Sequence, residues 1–169
     1  MSTQVLNMPN KSVTKMSDIS PVSRRVRSEA MTLKRSPIPG VSFKESSREF
    51  NEGILTIRPP IGSIYEGDTM KIQLTFGPDY PAHKPSSRML TRIYHPNISQ
   101  TDGICINCLV SGYNNQVTIA RIAEEFIAAL DKPGLEDPLN KDAAYDWANN
   151  KAEFIRKARE IVEDNKRLN

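Results

Sequence analysis

Three strand-like runs stand in sequence between Gly53 and Tyr94 with only turn residues between them, and this narrows the possible folds more than anything else in the chain. Gly53-Ile-Leu-Thr-Ile-Arg58 is apolar and β-branched, Met70-Lys-Ile-Gln-Leu-Thr-Phe76 alternates strictly between apolar and polar residues, and Met89 to Tyr94 makes a further short strand. Strict alternation sends successive side chains to opposite faces, so the second run is half-buried. Pro59-Pro60-Ile61-Gly62 separates the first two runs, and a proline-rich segment from Gly77 to Pro85 separates the second from the third. Three or four sequential strands without intervening helices predict an antiparallel meander.

Helical patterns flank these strands. Ser20-Pro21 is a helix start, with serine as cap and proline at the first helical position. Val22, Val26, Ala30 and Leu33 follow at helical spacing, and Pro37 to Gly40 ends the element. Beyond residue 117, Thr118 is a plausible cap for a helix with Ile119, Ile122, Ala123, Phe126, Ile127 and Leu130 on one face. Asp131 to Pro138 breaks it, Asn140 opens a short helix through Trp147, and a last helix carries Phe154, Ala158, Ile161 and Val162 inward. Helix, meander, then helices is an α+β order.

Between the strands and the later helices lies the stretch where chemistry concentrates. Tyr94-His-Pro-Asn-Ile-Ser-Gln-Thr-Asp-Gly-Ile-Cys-Ile-Asn-Cys-Leu109 holds both cysteines and one of the two histidines. Pro96 fixes one dihedral of a turn in which Asn97 can aim an amide, and Gly103 can take backbone angles other residues avoid. A rigid loop carrying a thiol and an aimed donor suits acyl transfer through a thioester. The bland alternative is that Cys105, between Ile104 and Ile106, is a small buried hydrophobe. A metal or redox centre built on Cys105-Ile-Asn-Cys108 with His83 or His95 is a further alternative. A lone C-x-x-C is weak, no second pair follows, and a zinc deaminase would need His-x-Glu where this chain has His95-Pro-Asn97.

Composition bounds these readings. At 169 residues the chain is one domain with a possible tail, long enough to bury a core. No run approaches the roughly 18 apolar residues of a membrane span, and the N-terminus lacks a signal-peptide core. Two cysteines three positions apart are a poor disulfide framework, which favours a reducing compartment, the cytosol or nucleus. The net charge of +3 is unevenly spread: Lys11, Lys15, Arg24, Arg25, Arg27, Lys34 and Arg35 face only Asp18 and Glu29. That stripe is either a solvated helix face or a docking surface. Without aromatic or zinc-finger motifs of nucleic-acid binders, a protein partner is expected and nucleic acid is not.

His95-Pro-Asn followed at this spacing by Gly-Ile-Cys resembles the active-site loop of ubiquitin-conjugating enzymes. Gly77-Pro78-Asp79-Tyr80-Pro81 and Glu136-Asp137-Pro138-Leu139-Asn140 stand at that family's intervals, so the resemblance runs from about Ser20 to the C-terminal helix. It implies an α+β conjugating-enzyme fold, with an N-terminal helix, a four-stranded antiparallel meander and C-terminal helices. Residues 1–19, polar and poor in aromatics, read as a flexible N-terminal extension, and 20–169 as the catalytic core.

The resemblance also implies a reaction and its partners. An activating enzyme uses ATP to load the C-terminal glycine of ubiquitin, or a relative, onto Cys105 as a thioester, and a substrate lysine then takes it, usually with a ubiquitin ligase. The chain itself needs no cofactor and no metal. Asn97 resembles the asparagine that either donates to the oxyanion or braces the loop. His95 and Pro96 are then loop support, and Asp137 resembles the acidic residue at the rim that orients the incoming lysine. Asn107 is loop support where many members have aspartate. Tyr80 and Tyr94 read as scaffold, Trp147 as core, and Cys108 as a buried filler or a regulatory disulfide partner.

Several positions depart from the family pattern. Lys84 stands where the first of two prolines is usual, and Tyr113 where tryptophan is. Ala82 and Asn115 occupy loop positions that present an apolar ring and a proline to ligases, which puts the usual ligase types in doubt. Gly62-Ser-Ile-Tyr-Glu-Gly67 resembles a run in ubiquitin enzymes. Cys105-Ile-Asn107 and Asp137-Pro-Leu-Asn-Lys-Asp-Ala-Ala144 resemble the neddylation enzyme, so ubiquitin is the expected modifier and the neddylation modifier the alternative. A non-catalytic variant acting as an adaptor would lack the cysteine.

Overall fold

The computed structural model describes residues 20–46, 49–101 and 103–168, so the predicted extension over 1–19 lies outside the described residues. The first helix, α1 (Pro21–Arg35), starts as its sequence requires: the Ser20 hydroxyl accepts the Ser23 N–H at 3.1 Å and proline fills the first turn. Val22, Val26, Ala30 and Leu33 are buried along one stripe. Arg24, Arg27, Lys34 and Arg35 stay exposed.

Four strands follow, β1 (Val41–Glu45), β2 (Glu52–Ile57), β3 (Met70–Thr75) and β4 (Ser86–Met89), paired antiparallel in chain order as one meander. The register sets Phe43 opposite Leu55, Leu55 opposite Ile72, and Ile72 opposite Met89, so one buried row crosses the whole sheet. Because side chains alternate with period two, this single row fixes which face meets the core. Two corrections arise here. The fourth strand is Ser86–Met89 rather than Met89–Tyr94, and the first, Val41–Glu45, adds a strand upstream of the three apolar runs. Both are short and mostly polar, and each pairs with one neighbour only, so burial leaves little mark on their composition. The apolar residues after Met89 instead leave the sheet toward the thiol loop.

The helices α2 (Ile119–Asp131), α3 (Lys141–Asn149) and α4 (Lys151–Leu168) complete the fold, the first two capped by Thr118 and Asn140 side chains. Ile122, Ala123, Phe126 and Leu130 of α2 join the sheet residues in one apolar cluster, with Phe154, Ala158 and Val162 of α4. Ile127 and Ile161 are only half-buried. The inner face of α4 ends instead on buried Asn165, whose amide donates to the Asp68 carboxylate and the Arg92 carbonyl, each at 2.9 Å. Trp147 packs edge-on against Phe154 beside that cluster.

One buried carboxylate joins three parts of this arrangement. Glu29 of α1 accepts the Tyr80 hydroxyl (2.8 Å), the first backbone N–H of α2 at Ile119 (2.9 Å), and the Arg25 guanidinium. Replacing it leaves a buried hydroxyl and a buried amide without an acceptor, each costing on the order of 1–3 kcal/mol. Glu29→Leu should therefore lower unfolding stability by about 3 kcal/mol in urea titration; a loss under about 1 kcal/mol would show that the junction does not depend on this group.

Candidate active site

After β4 the chain turns under α2 and forms a small hairpin, β5 (Ile98–Ser99) with β6 (Gly103–Ile104). Gly103 takes φ +97°, a left-handed angle that a side chain disfavours, and Cys105 follows directly after β6. The Cys105 N–H donates to the Asn97 carbonyl at 2.8 Å, so the thiol residue is fastened by its backbone to the start of the loop.

His95 is the base of that loop, with no exposure to solvent. Its Nδ1 accepts the Asn97 N–H at 3.0 Å, which places the ring proton on Nε2, and Nε2 donates to the Ala129 carbonyl at 2.9 Å. That carbonyl lies in the last turn of α2, where no intrahelical donor remains. Burial pushes the imidazole down to about 4, so it is neutral at ordinary pH. Pro96 contributes its carbonyl, which accepts the Asn140 N–H at 3.0 Å and ties the loop to the cap of α3.

Asn97 is buried, and its carboxamide closes a ring with one residue across the cleft: Nδ2 donates to the Gly134 carbonyl (2.7 Å) and Oδ1 accepts the Gly134 N–H (2.8 Å). The carboxamide thus ties the loop to the connection after α2, and one Nδ2 proton lies outside that ring. Asn107 is exposed, its side chain folded over Gly112 so closely that a methyl there would meet it at 2.3 Å.

Cys105, Asn97, Asn107 and Asp137 line one cleft of about 800 Å³, with Leu135 and Glu125. Cys105 is partly exposed and Asp137 exposed. Cys108, by contrast, is buried, and burial together with the Glu125 carboxylate pushes its thiol up to about 12. Only the first thiol is therefore open to an incoming group. Among the described residues no group of three His, Cys, Asp or Glu side chains is placed to hold a metal ion. All the residues read from the sequence as a site converge here, Cys105, Asn97, Asn107 and Asp137 at the cleft and His95 and Pro96 beneath it.

Three contacts around the site were not foreseeable from residue types. Gly134 as the partner of Asn97 is a backbone contact, and Glu125 on the Cys108 N–H (2.8 Å) is masked by its Arg121 at helical spacing, which reads as an ordinary surface pair. Lys84 donates to the Leu109 carbonyl at 2.6 Å. Tyr113, the other departure nearby, turns its hydroxyl to the Pro81 and His83 carbonyls at 2.9 and 3.1 Å. Tyr80 and Tyr94 are scaffold: the first rests on Glu29, and the second donates to Asp146 at 2.7 Å.

A meander flanked by these helices, with a thiol presented beyond a His-Pro-Asn turn, defines a class, and comparison with known proteins agrees. The profile of the ubiquitin-conjugating enzyme family matches residues 25–162, and the chain belongs to that family. It is similar to ubiquitin-conjugating enzyme E2 N of Drosophila melanogaster, 34% identical over 142 residues that span 84% of this chain and 94% of the relative. Ubiquitin-conjugating enzyme E2 13 of Saccharomyces cerevisiae is 33% identical over 137 residues, 81% of this chain and 90% of its own length. The chain is accordingly a ubiquitin-conjugating transferase.

The neutral His95 makes a prediction about acid. An unfolded histidine takes up its proton near 6.5, whereas the folded ring resists until about 4. The unfolded state therefore binds the extra proton first, and stability present above pH 6.5 is lost as pH falls toward 4, by up to about 3 kcal/mol. His95→Gln should be less stable at pH 7, and its deficit relative to the parent should shrink by about that amount at pH 4. A deficit constant with pH in thermal or urea melts would refute a neutral buried ring.

Proposed function

We propose that Cys105 accepts ubiquitin as a thioester from an activating enzyme and gives it up to a substrate lysine. The observation that carries this reading is the partly exposed Cys105, fastened by its N–H to Asn97 in a cleft shared with Asp137. In the first step the Cys105 thiolate attacks the thioester carbonyl on the activating enzyme, a new C–S bond forms, and the activating enzyme's thiolate leaves. No general base is required, because the acyl group arrives activated and exchange needs only some thiolate. The neutral, doubly occupied His95 fits this: it has no free lone pair to offer.

In the second step a lysine amine attacks the same carbonyl, negative charge develops on its oxygen, and the Cys105 thiolate departs as the amine loses a proton. The remaining Nδ2 proton of Asn97 is the donor available to that oxygen, and the Asn97–Gly134 ring keeps it in place. Asp137, exposed at the rim, orients the lysine and favours proton loss. Asn107 and Pro96 hold the loop's outline.

The names of the similar enzymes support ubiquitin as the modifier; the neddylation modifier is kept as a second reading on Cys105-Ile-Asn107 and the run from Asp137 to Ala144. The exposed basic residues of α1 form the surface for the activating enzyme and ligase. Ala82 and Asn115 are both exposed, so a ligase here meets no large apolar ring at either position. The chain needs no cofactor of its own, since the activating enzyme uses the ATP. It works in the cytosol or nucleus, with no nucleic-acid or membrane partner.

Incubation with ATP and matched pairs of activating enzyme and modifier, ubiquitin in one reaction and the neddylation modifier in the other, should give an adduct that thiol removes. Cys105→Ser should turn it into a thiol-resistant ester or abolish it, and Cys108→Ser should leave it intact; no adduct with either modifier from folded protein would end this reading. Asn97→Ala should load normally but discharge to free lysine about 100-fold more slowly. Equal slowing of both steps would assign Asn97 to the loop's shape alone.

A further inference from the structure

The turn that follows the thiol is gripped at both ends by charged side chains from elsewhere in the fold. Asn107–Leu109 form one 3-10 turn, closed by the Leu109 N–H on the Ile106 carbonyl (2.9 Å) and the Val110 N–H on the Asn107 carbonyl (3.1 Å). Near its start the Cys108 N–H donates to Glu125 Oε2 of α2 at 2.8 Å. At its end Lys84 Nζ, reaching from the proline-rich segment, donates to the Leu109 carbonyl at 2.6 Å. The carboxylate is itself fixed, because Oε1 accepts Arg121 Nε at 2.9 Å and the side chain is 16% exposed.

So short a 3-10 turn has few bonds of its own and poorer hydrogen-bond geometry than an α-helix. Charge-assisted bonds are roughly twice as strong as neutral ones, so these two can decide where the turn sits. Their placement ties them to the thiol. Glu125 lines the cleft on one side of Cys105, and Lys84 lines a smaller one that also reaches Cys105. Upstream, the Cys105 N–H is held by Asn97. Downstream, buried Ile106, Cys108 and Leu109 anchor the turn in the apolar cluster, and the two charged grips fix its orientation there.

We propose that Glu125 and Lys84 are positioning residues for acyl transfer, clamping the turn after Cys105 and so setting where the thioester carbonyl stands between the Asn97 amide and the rim at Asp137. Neither touches the reacting atoms. The inference deepens the thioester reading of Cys105 and rests on it. Lys84 is specific to this chain's departure from the family pattern, since a proline at that position has no donor to offer the Leu109 carbonyl.

The test uses the full chain. Glu125→Leu and Lys84→Met each remove one grip, while Glu125→Gln and Lys84→Arg keep an acceptor or a donor of similar reach. With the modifier preloaded, single-turnover discharge to free lysine should slow about tenfold in Glu125→Leu and Lys84→Met. The KM for loading should stay within about twofold, and the Gln and Arg variants should recover discharge to within about threefold. Combining Glu125→Leu with Lys84→Met should slow discharge little beyond the worse single change, because both act through one turn. Amide exchange at Cys108 and Val110, measured without modifier or activating enzyme, should quicken in the Leu and Met variants and not in the conservative pair. That readout does not depend on what Cys105 carries, so a failed clamp and a failed thioester reading are told apart. Unchanged discharge in either grip-removing variant, no rescue by Gln or Arg, or exchange quickened throughout the core would each overturn the proposal.

Discussion

The ring of His95 has two nitrogens and both are occupied, one by the Asn97 amide and one by a carbonyl in the last turn of α2, at a position with no contact with solvent. The rest of the site hangs from this pair of bonds. Asn97 is held in register by the ring, Cys105 is held by the Asn97 carbonyl, and Gly134 is held by the Asn97 carboxamide. A protonated imidazole would have two donors and could not accept the Asn97 N–H, so the loop's geometry requires the neutral form. The histidine nearest the thiol in sequence thus serves as a fixed strut.

From that strut the site acquires rigidity. Three elements converge on one loop: α2 through Ala129, the 132–137 connection through Gly134, and the α3 cap through Asn140. Glu125 and Lys84 extend the same logic downstream of Cys105. On the proposed thioester reading, a fixed carbonyl position serves the reaction more than a strong base would, because correct placement alone removes much of the barrier.

Much of this was legible in the residues, for identifiable reasons. Ser20-Pro21, Thr118 and Asn140 mark helix starts because a side-chain oxygen at the cap is a local requirement, satisfied within three residues. The central strand Met70–Thr75 shows itself because one face is buried against the helices. The outer strands do not; in Ser86-Ser-Arg-Met only Met89 is buried, and its apolar sequel belongs to the thiol loop. In the site, Cys105 and Asn97 stand out by residue type and turn chemistry, while Asp137 is reached through the family resemblance of Glu136-Asp-Pro-Leu-Asn140. The pairing of Asn97 with Gly134, of Cys108 with Glu125 and of Leu109 with Lys84 each joins a side chain to a backbone group 17 to 37 positions away. No spacing rule reaches that far, and any residue type could supply the backbone partner.

The sheet's two outer strands have a consequence for the protein's behaviour at high concentration. β1 leaves a row of backbone donors and acceptors that a strand from another molecule could extend, whereas β4 has the β5–β6 hairpin close beside it. β1 is five residues long and carries exposed Ser42 and Lys44; β4 is four and carries exposed Ser86 and Arg88. A strand added beside β1 would have to lie against the Lys44 cation and find little apolar surface to cover, so this polar, abbreviated strand disfavours pairing between neighbouring copies.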